Sequence, residues 1–214
     1  MMSKYFHASV VTSGAAGRTI GLIRGAHIPF FQEGGAKGFY RSTTRSAPYN
    51  LFVHLNEIAA AAKTKPASAP NYLSWGSDSD FPKGVKATTL AAQFSGGHTT
   101  QWSFTNGTYH NTNSNAPAGD QFPASNVLVL RVREGRAGYL DPAGNPVPET
   151  IFSGKGDLML FHRGQVVSGT WQKMKLASLL KLSTAAGPLK VPAGHVWIEL
   201  VPVDGQGGHV SFRK

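Results

Sequence analysis

Residues 156–173 read GDLMLFHRGQVVSGTWQK, two strand-like runs about an Arg163-Gly164 turn. Apolar and β-branched runs on either side of a short Gly-containing turn are the pattern of a β-hairpin. The device recurs downstream, where LLKLSTAAGPLKVPAGHVWIELVPV (179–203) places turns near Gly187 and Gly194. Upstream, DPAGNP (141–146) is dense turn chemistry, and VLVLRVRE (127–134) is rich in β-branched residues. The later half of that run alternates Arg131 and Arg133 with Leu130 and Val132, so one wet face is expected. Strands at roughly 8 to 12-residue spacing imply a sandwich, a barrel or a strongly bent sheet.

A further hairpin is expected in QWSFTNGTYHNTNSN (101–115). Asn106-Gly107 suits a type I′ turn, which needs positive φ at both central residues. Trp102 and Tyr109 would then pack across or beside the turn. From Ala87 to Gly119 there is no Asp, Glu, Lys or Arg, although 15% of the chain is charged. Such a stretch suits neutral hydrogen-bonding ligands such as sugars, and a buried or self-packed loop accounts for it equally well.

The first third reads differently. HASVVTSG (7–14) is a short strand running into a turn, and Ile20 and Ile23 predict a short helix that Gly25 ends. In FYRSTTRSAPYNLFVHLNEIAAAAK (39–63), Asn56 is read as the N-cap of a helix beginning at Glu57 and closing at Lys63. TKPASAPNY (64–72) is a Pro, Ser and Ala connector, the expected boundary between two parts. The fold expectation is α+β: a small N-terminal α/β part over 1–72, then a β-rich domain of antiparallel hairpins over 73–214.

Composition narrows the function classes. Of 214 residues, 41% are hydrophobic, enough for a folded core. Lys plus Arg is 21 and Asp plus Glu is 11, giving a formal charge of +10 and attraction to anionic surfaces. The cations are scattered, which argues against a nucleic-acid partner. Cysteine is absent, which excludes disulfides, thiol catalysis and thiolate metal sites. No run approaches the roughly 20 apolar residues that span a bilayer, so no transmembrane segment is expected. The opening MMSKYFHASVVTSGAAG lacks the long apolar core of a signal peptide, so none is expected there.

Motifs for chemistry are sparse. Gly14 and Gly17 form neither a dinucleotide nor a phosphate-loop pattern, so no cofactor is expected. Ser13 fails the nucleophile-elbow pattern because Val11 stands where its first glycine belongs. Eight histidines show no metal-ligand spacing, and no metal site is expected. Asp78 and Asp80 are the one close carboxylate pair, in the turn-like SWGSDSDFPKG (74–84). Trp171 and Trp197 are expected in the core, and Glu199 is expected to face solvent or to pair with Lys173 or Lys175.

RSAPYNLF (45–52), SNVLVLRVREGRAGYLDPAGNPVPE (125–149) and the closing run with Gly154, Gly156, Phe161, Gly164, Gly169, Trp171, Pro192, Gly194, Trp197 and Glu199 carry a resemblance over nearly the whole chain. On these residues the chain resembles the YerB family of bacterial lipoproteins, a family of unknown function, and its actinobacterial members above all. The resemblance implies an extracytoplasmic, membrane-associated setting. Members start earlier, with a signal peptide and a lipidated cysteine, so the resemblance implies an N-terminally truncated chain whose 1–72 part is incomplete. Tyr49 stands where the family has histidine, and His110, Asn111 and Asp120 do not match cleanly the polar residues that family members carry in that neighbourhood.

Two functions are therefore open. The first is a non-catalytic protein binding an anionic cell-wall polymer or an envelope protein through Arg41, Arg45, Asn50, Trp102, Tyr109 and Asn126. The second is an envelope glycan hydrolase or transferase using Asp120 and His110 as acid/base groups.

Overall fold

A computed structural model describes residues 3, 6–62, 71–114, 116, 119, 121–141, 143–175 and 178–214. The chain divides into two compact units, Met1–Pro70 and Asn71–Lys214. Most of the connector expected at 64–72, and Lys63 with it, lies outside the described residues.

The first unit opens with strand β1 (Val10–Thr12), helix α1 (Gly17–Gly25) and strand β2 (Phe30–Gln32). β1 and β2 pair in parallel, so the strand-turn-helix start closes into a small β-α-β unit. Ile20 and Ile23 share the half-buried side of α1, while Leu22 is exposed. β3 (Phe39–Arg41) and β4 (Leu51–Val53) then form an antiparallel pair.

Helix α2 (Leu55–Ala62) follows, with Ile58 as its buried residue. The N-cap assignment to Asn56 is corrected. The His54 carbonyl already accepts the N–H of Glu57 and of Ile58, so the helix starts before Asn56.

The second unit is built on β10 (Asn126–Leu140). Its first half lies between β12 (Gly154–His162), antiparallel, and β17 (Val196–Pro202), parallel; its second half pairs with β11 (Pro146–Ile151). β12 continues to β13 (Gln165–Lys173), and that to β14 (Lys181–Thr184) and β15 (Gly187–Pro188). The short β6 (Val85–Lys86) pairs with the start of β13. A second sheet holds β7 (Thr89–Ser95), β8 (His98–Thr105), β9 (Thr108–Asn111) and β18 (His209–Arg213) in the order β18-β7-β8-β9.

The two sheets share one core. Val127, Val129, Phe161 and Val201 from the first meet Leu90, Ala92, Trp102 and Tyr109 from the second. Leu128, Leu130, Leu158 and Leu160, on the opposite face of the first sheet, are buried as well. With both faces covered, Val127 to Leu130 form an unbroken apolar run rather than an alternation.

The turns follow their sequence signals. Asn106 and Gly107 have φ of 51° and 85°, and Arg163 and Gly164 have φ of 47° and 70°, left-handed values that make two-residue hairpins between paired strands.

Two expectations are corrected. The β-rich domain is not built of antiparallel hairpins alone: β10/β17 and β5 (Trp75–Gly76) with β16 (Val191–Pro192) are parallel. The approach to β17 runs through Gly194, whose φ is +139° and where a Cβ would lie 2.6 Å from Ser125 Oγ, so only glycine fits. Nor is the Arg131 side of β10 wet there. The Arg131 side chain is 12% exposed and Nη2 donates to the carbonyls of Pro202 and Gly208 and to Asp204 Oδ1. Among the described residues no helix is long and apolar enough to cross a membrane.

Candidate functional site

In the first unit, β3 and β4 bring the N-terminal candidates together. Arg41 donates twice to Glu33, at 2.9 and 2.7 Å, and once to Asn50 Oδ1 at 2.9 Å. Asn50 Nδ2 in turn donates to the Ser42 carbonyl. Arg41 and Asn50 thus brace the two ends of loop 42–50, and their polar groups are engaged within the protein. Arg45 sits within that loop and differs from both. Its guanidinium lies 5.6 Å from the Phe52 ring centroid, and it has no ion pair among the described residues. It lines a groove of about 480 Å³ with Tyr49, Phe52, Pro48, Phe39 and Ser13, and Tyr49 is 82% exposed.

In the second unit the neutral hairpin has its aromatic rings inside. Trp102 is 2% exposed and Tyr109 0%. Tyr109 Oη donates to the Ala87 carbonyl at 2.9 Å, and burial pushes its phenol well above its ordinary pKa. Neither ring presents a face to a ligand. Asn126 is fully buried: Nδ2 donates to the Pro192 carbonyl at 2.9 Å, which ties β10 to β16. His110 Nε2 lies 2.9 Å from Thr108 Oγ1, and Asp120 lies outside the described residues. Among the described residues no carboxylate is paired with His110.

Glu199 departs from its expected place. It is 5% exposed, and its Oε1 accepts from Trp102 Nε1 at 3.0 Å and Thr100 Oγ1 at 2.8 Å. Facing solvent or pairing with Lys173 or Lys175 are both replaced, because the Glu199 side of β17 is the side turned to the second sheet. Trp171 is in the core, while Trp197 remains 37% exposed.

The structure also assembles a cluster that sequence reading missed. His162 Nε2 lies 3.1 Å from Asp78 Oδ1, and Arg163 Nη1 donates to Asp78 Oδ2. Phe81 packs on the imidazole, and His162 Nδ1 lies 3.4 Å from the Ser125 carbonyl. These groups border a cleft of about 490 Å³ with Lys83 and Gln165. With an acceptor at each ring nitrogen, His162 has none turned to a substrate, and the cluster works as a latch between the 77–81 segment and the β12–β13 turn. Asp80 plays a separate part. It accepts from Ser77 N–H and Oγ–H and from Lys190, contacts that hold its pKa at about 2. Only spatial proximity links residues 78 and 162; no local spacing announces it. Among the described residues no three His, Asp or Glu side chains group as a metal site.

The latch has a pH signature. Burial pushes the His162 pKa below its ordinary value, and Asp78 opposes this in part. Between the folded-state pKa and about 6.5 the unfolded chain binds the extra proton, so stability is full above about 6.5 and falls as pH drops through that window. Urea midpoints at about pH 7.5 and pH 5 should therefore differ more in the parent protein than in His162→Gln. Equal differences would show that His162 does not titrate this way.

Comparisons place the chain. The family described as "Protein of unknown function (DUF3048) C-terminal domain" matches residues 89–198. The crystal structure of the YerB protein from Bacillus subtilis is similar at 16% identity and a TM-score of 0.73, covering 98% of this chain and 72% of that one. That likeness is one of fold. No curated protein matches the chain. The matched residues lie wholly within the second unit, run from the start of β7 into β17, and include the buried Trp102 and Asn126. As they make up more than half of its length, the chain belongs to the DUF3048 family of proteins of unknown function.

Proposed function

We propose that the chain is a non-catalytic binding protein that holds an anionic polymer of the bacterial cell envelope in the groove of its first unit. The observation that carries this reading is Arg45: a cation over the Phe52 ring, beside the exposed Tyr49, with no carboxylate partner among the described residues. A guanidinium backed by an aromatic face pairs with phosphate or carboxylate groups while the ring packs on the adjoining apolar part of the ligand. The net charge of +10 supplies long-range attraction to the same partner. Arg41 and Asn50 act one step back by fixing the loop that presents Arg45. The proposed setting, extracytoplasmic and at the membrane, is the one implied by the resemblance to lipoproteins. The reading needs no cofactor, metal or nucleic acid.

The test is retention of the purified chain on cell wall bearing anionic polymer, at low and high salt. Arg45→Gln should lower retention roughly two- to fivefold, the scale of one exposed charge contact with a cation–π component. High salt should weaken the parent toward the variant. Equal retention of parent and variant, or retention indifferent to salt, would refute the assignment.

A further inference from the structure

Glu199 is buried, yet its carboxylate is half used. Oε1 takes both hydrogen bonds, from Thr100 and Trp102, while Oε2 accepts none from the described residues. Two residues earlier, on the same face of β17, Trp197 is 37% exposed and leans on Trp102 at 5.3 Å between ring centroids. Phe122, 45% exposed, lies 6.0 Å from Trp197 and 4.8 Å from His195. A carboxylate oxygen with no donor among the described residues thus shares a strand face with a half-exposed aromatic ring, beside a segment with no Asp, Glu, Lys or Arg from Ala87 to Gly119.

One carboxylate oxygen is too few for a calcium or magnesium site, which needs several oxygen ligands. A cationic ligand would approach against a net charge of +10. A sugar ring meets neither objection: its C–H face packs on an aromatic ring and its hydroxyls donate to the carboxylate. We propose that Trp197, Phe122 and Glu199 form a subsite for one neutral pyranose ring. This site is in the second unit and is independent of the Arg45 groove.

The test is calorimetric titration of the full chain with chitohexaose, an uncharged oligosaccharide of N-acetylglucosamine that does not report on the groove. The parent should bind. Glu199→Gln keeps an acceptor for Trp102 and turns Oε2 into an N–H2 group, and should weaken binding about tenfold or more. Trp197→Ala removes a half-exposed ring, leaves the fold in place as circular dichroism can check, and should weaken binding by about as much. Absence of binding by the parent at ~10 mM sugar, unchanged binding in Trp197→Ala, or binding of tetramethylammonium in preference to the sugar would each overturn the proposal.

Discussion

One methyl group added at Gly156 is expected to remove roughly 3–5 kcal/mol of stability from the second unit. A Cβ there would lie 2.4 Å from the Arg131 carbonyl oxygen and 2.7 Å from Trp171 Nε1, closer than either can be approached. Those two atoms are also partners, since Trp171 Nε1 donates to the Arg131 carbonyl at 2.9 Å. The added methyl must therefore part them, which strands a nearly buried indole N–H and shifts β10 against β12. Neither is cheap, because one contact is backbone and the other is a ring that is 2% exposed. For a domain with an expected total of about 5–15 kcal/mol, Gly156→Ala should lower the urea midpoint severely or prevent folding. A change within about 0.5 kcal/mol, the range of ordinary surface substitutions, would mean that these strands are not packed as described.

Trp102→Ala should be nearly as damaging, at roughly 3–5 kcal/mol. The substitution empties the space between the two sheets and takes from the buried Glu199 one of its two donors. Trp102→Phe separates these effects, since it retains much of the volume and loses only the N–H, and should cost about 1–3 kcal/mol. A Trp102 that served recognition at the surface would behave otherwise: alanine would leave the thermal midpoint in place and abolish binding. Thermal unfolding followed with a binding assay distinguishes the two, and the burial of Trp102 predicts the first pattern.

What the sequence conveyed was local. The turn at Asn106-Gly107 was legible because positive φ at successive positions favours Asn and Gly, and the turn at Arg163-Gly164 because Gly164 stands between two strand-like runs. The β-α opening was legible from Ile20, Ile23 and Gly25. What was not legible depends on contacts far apart in sequence. Val127 pairs with Trp197 in parallel, and neither run marks the other. Glu199 looked outward because it alternates with Ile198 and Leu200, but alternation names two faces without saying which one is covered. Its donors lie 97 and 99 residues away. Arg131 was misplaced for the same reason, its acceptors being supplied by the 202–208 segment.

The candidate site divides along the same line. Arg41 and Asn50, read in the sequence only as members of one segment, are brought together nine residues apart across the β3–β4 hairpin. The absence of charge from Ala87 to Gly119 marked a real peculiarity, and the structure gives its rings mostly to the core. The exposed aromatic beside it, Trp197, comes from a strand almost a hundred residues downstream of Trp102.

An anionic polymer resting in the groove around Arg45 should be held there without being cut. Titrating isotope-labelled full-length chain with soluble poly(glycerol phosphate), followed by amide chemical shifts and by the length of the recovered polymer, addresses both halves at once. Binding in the groove predicts shifts concentrated at residues 45–53, lost at about 0.5 M salt, with the polymer recovered intact. Shifts confined to the Lys83 and Arg163 cleft, or shortened polymer in the recovered fraction, would contradict it.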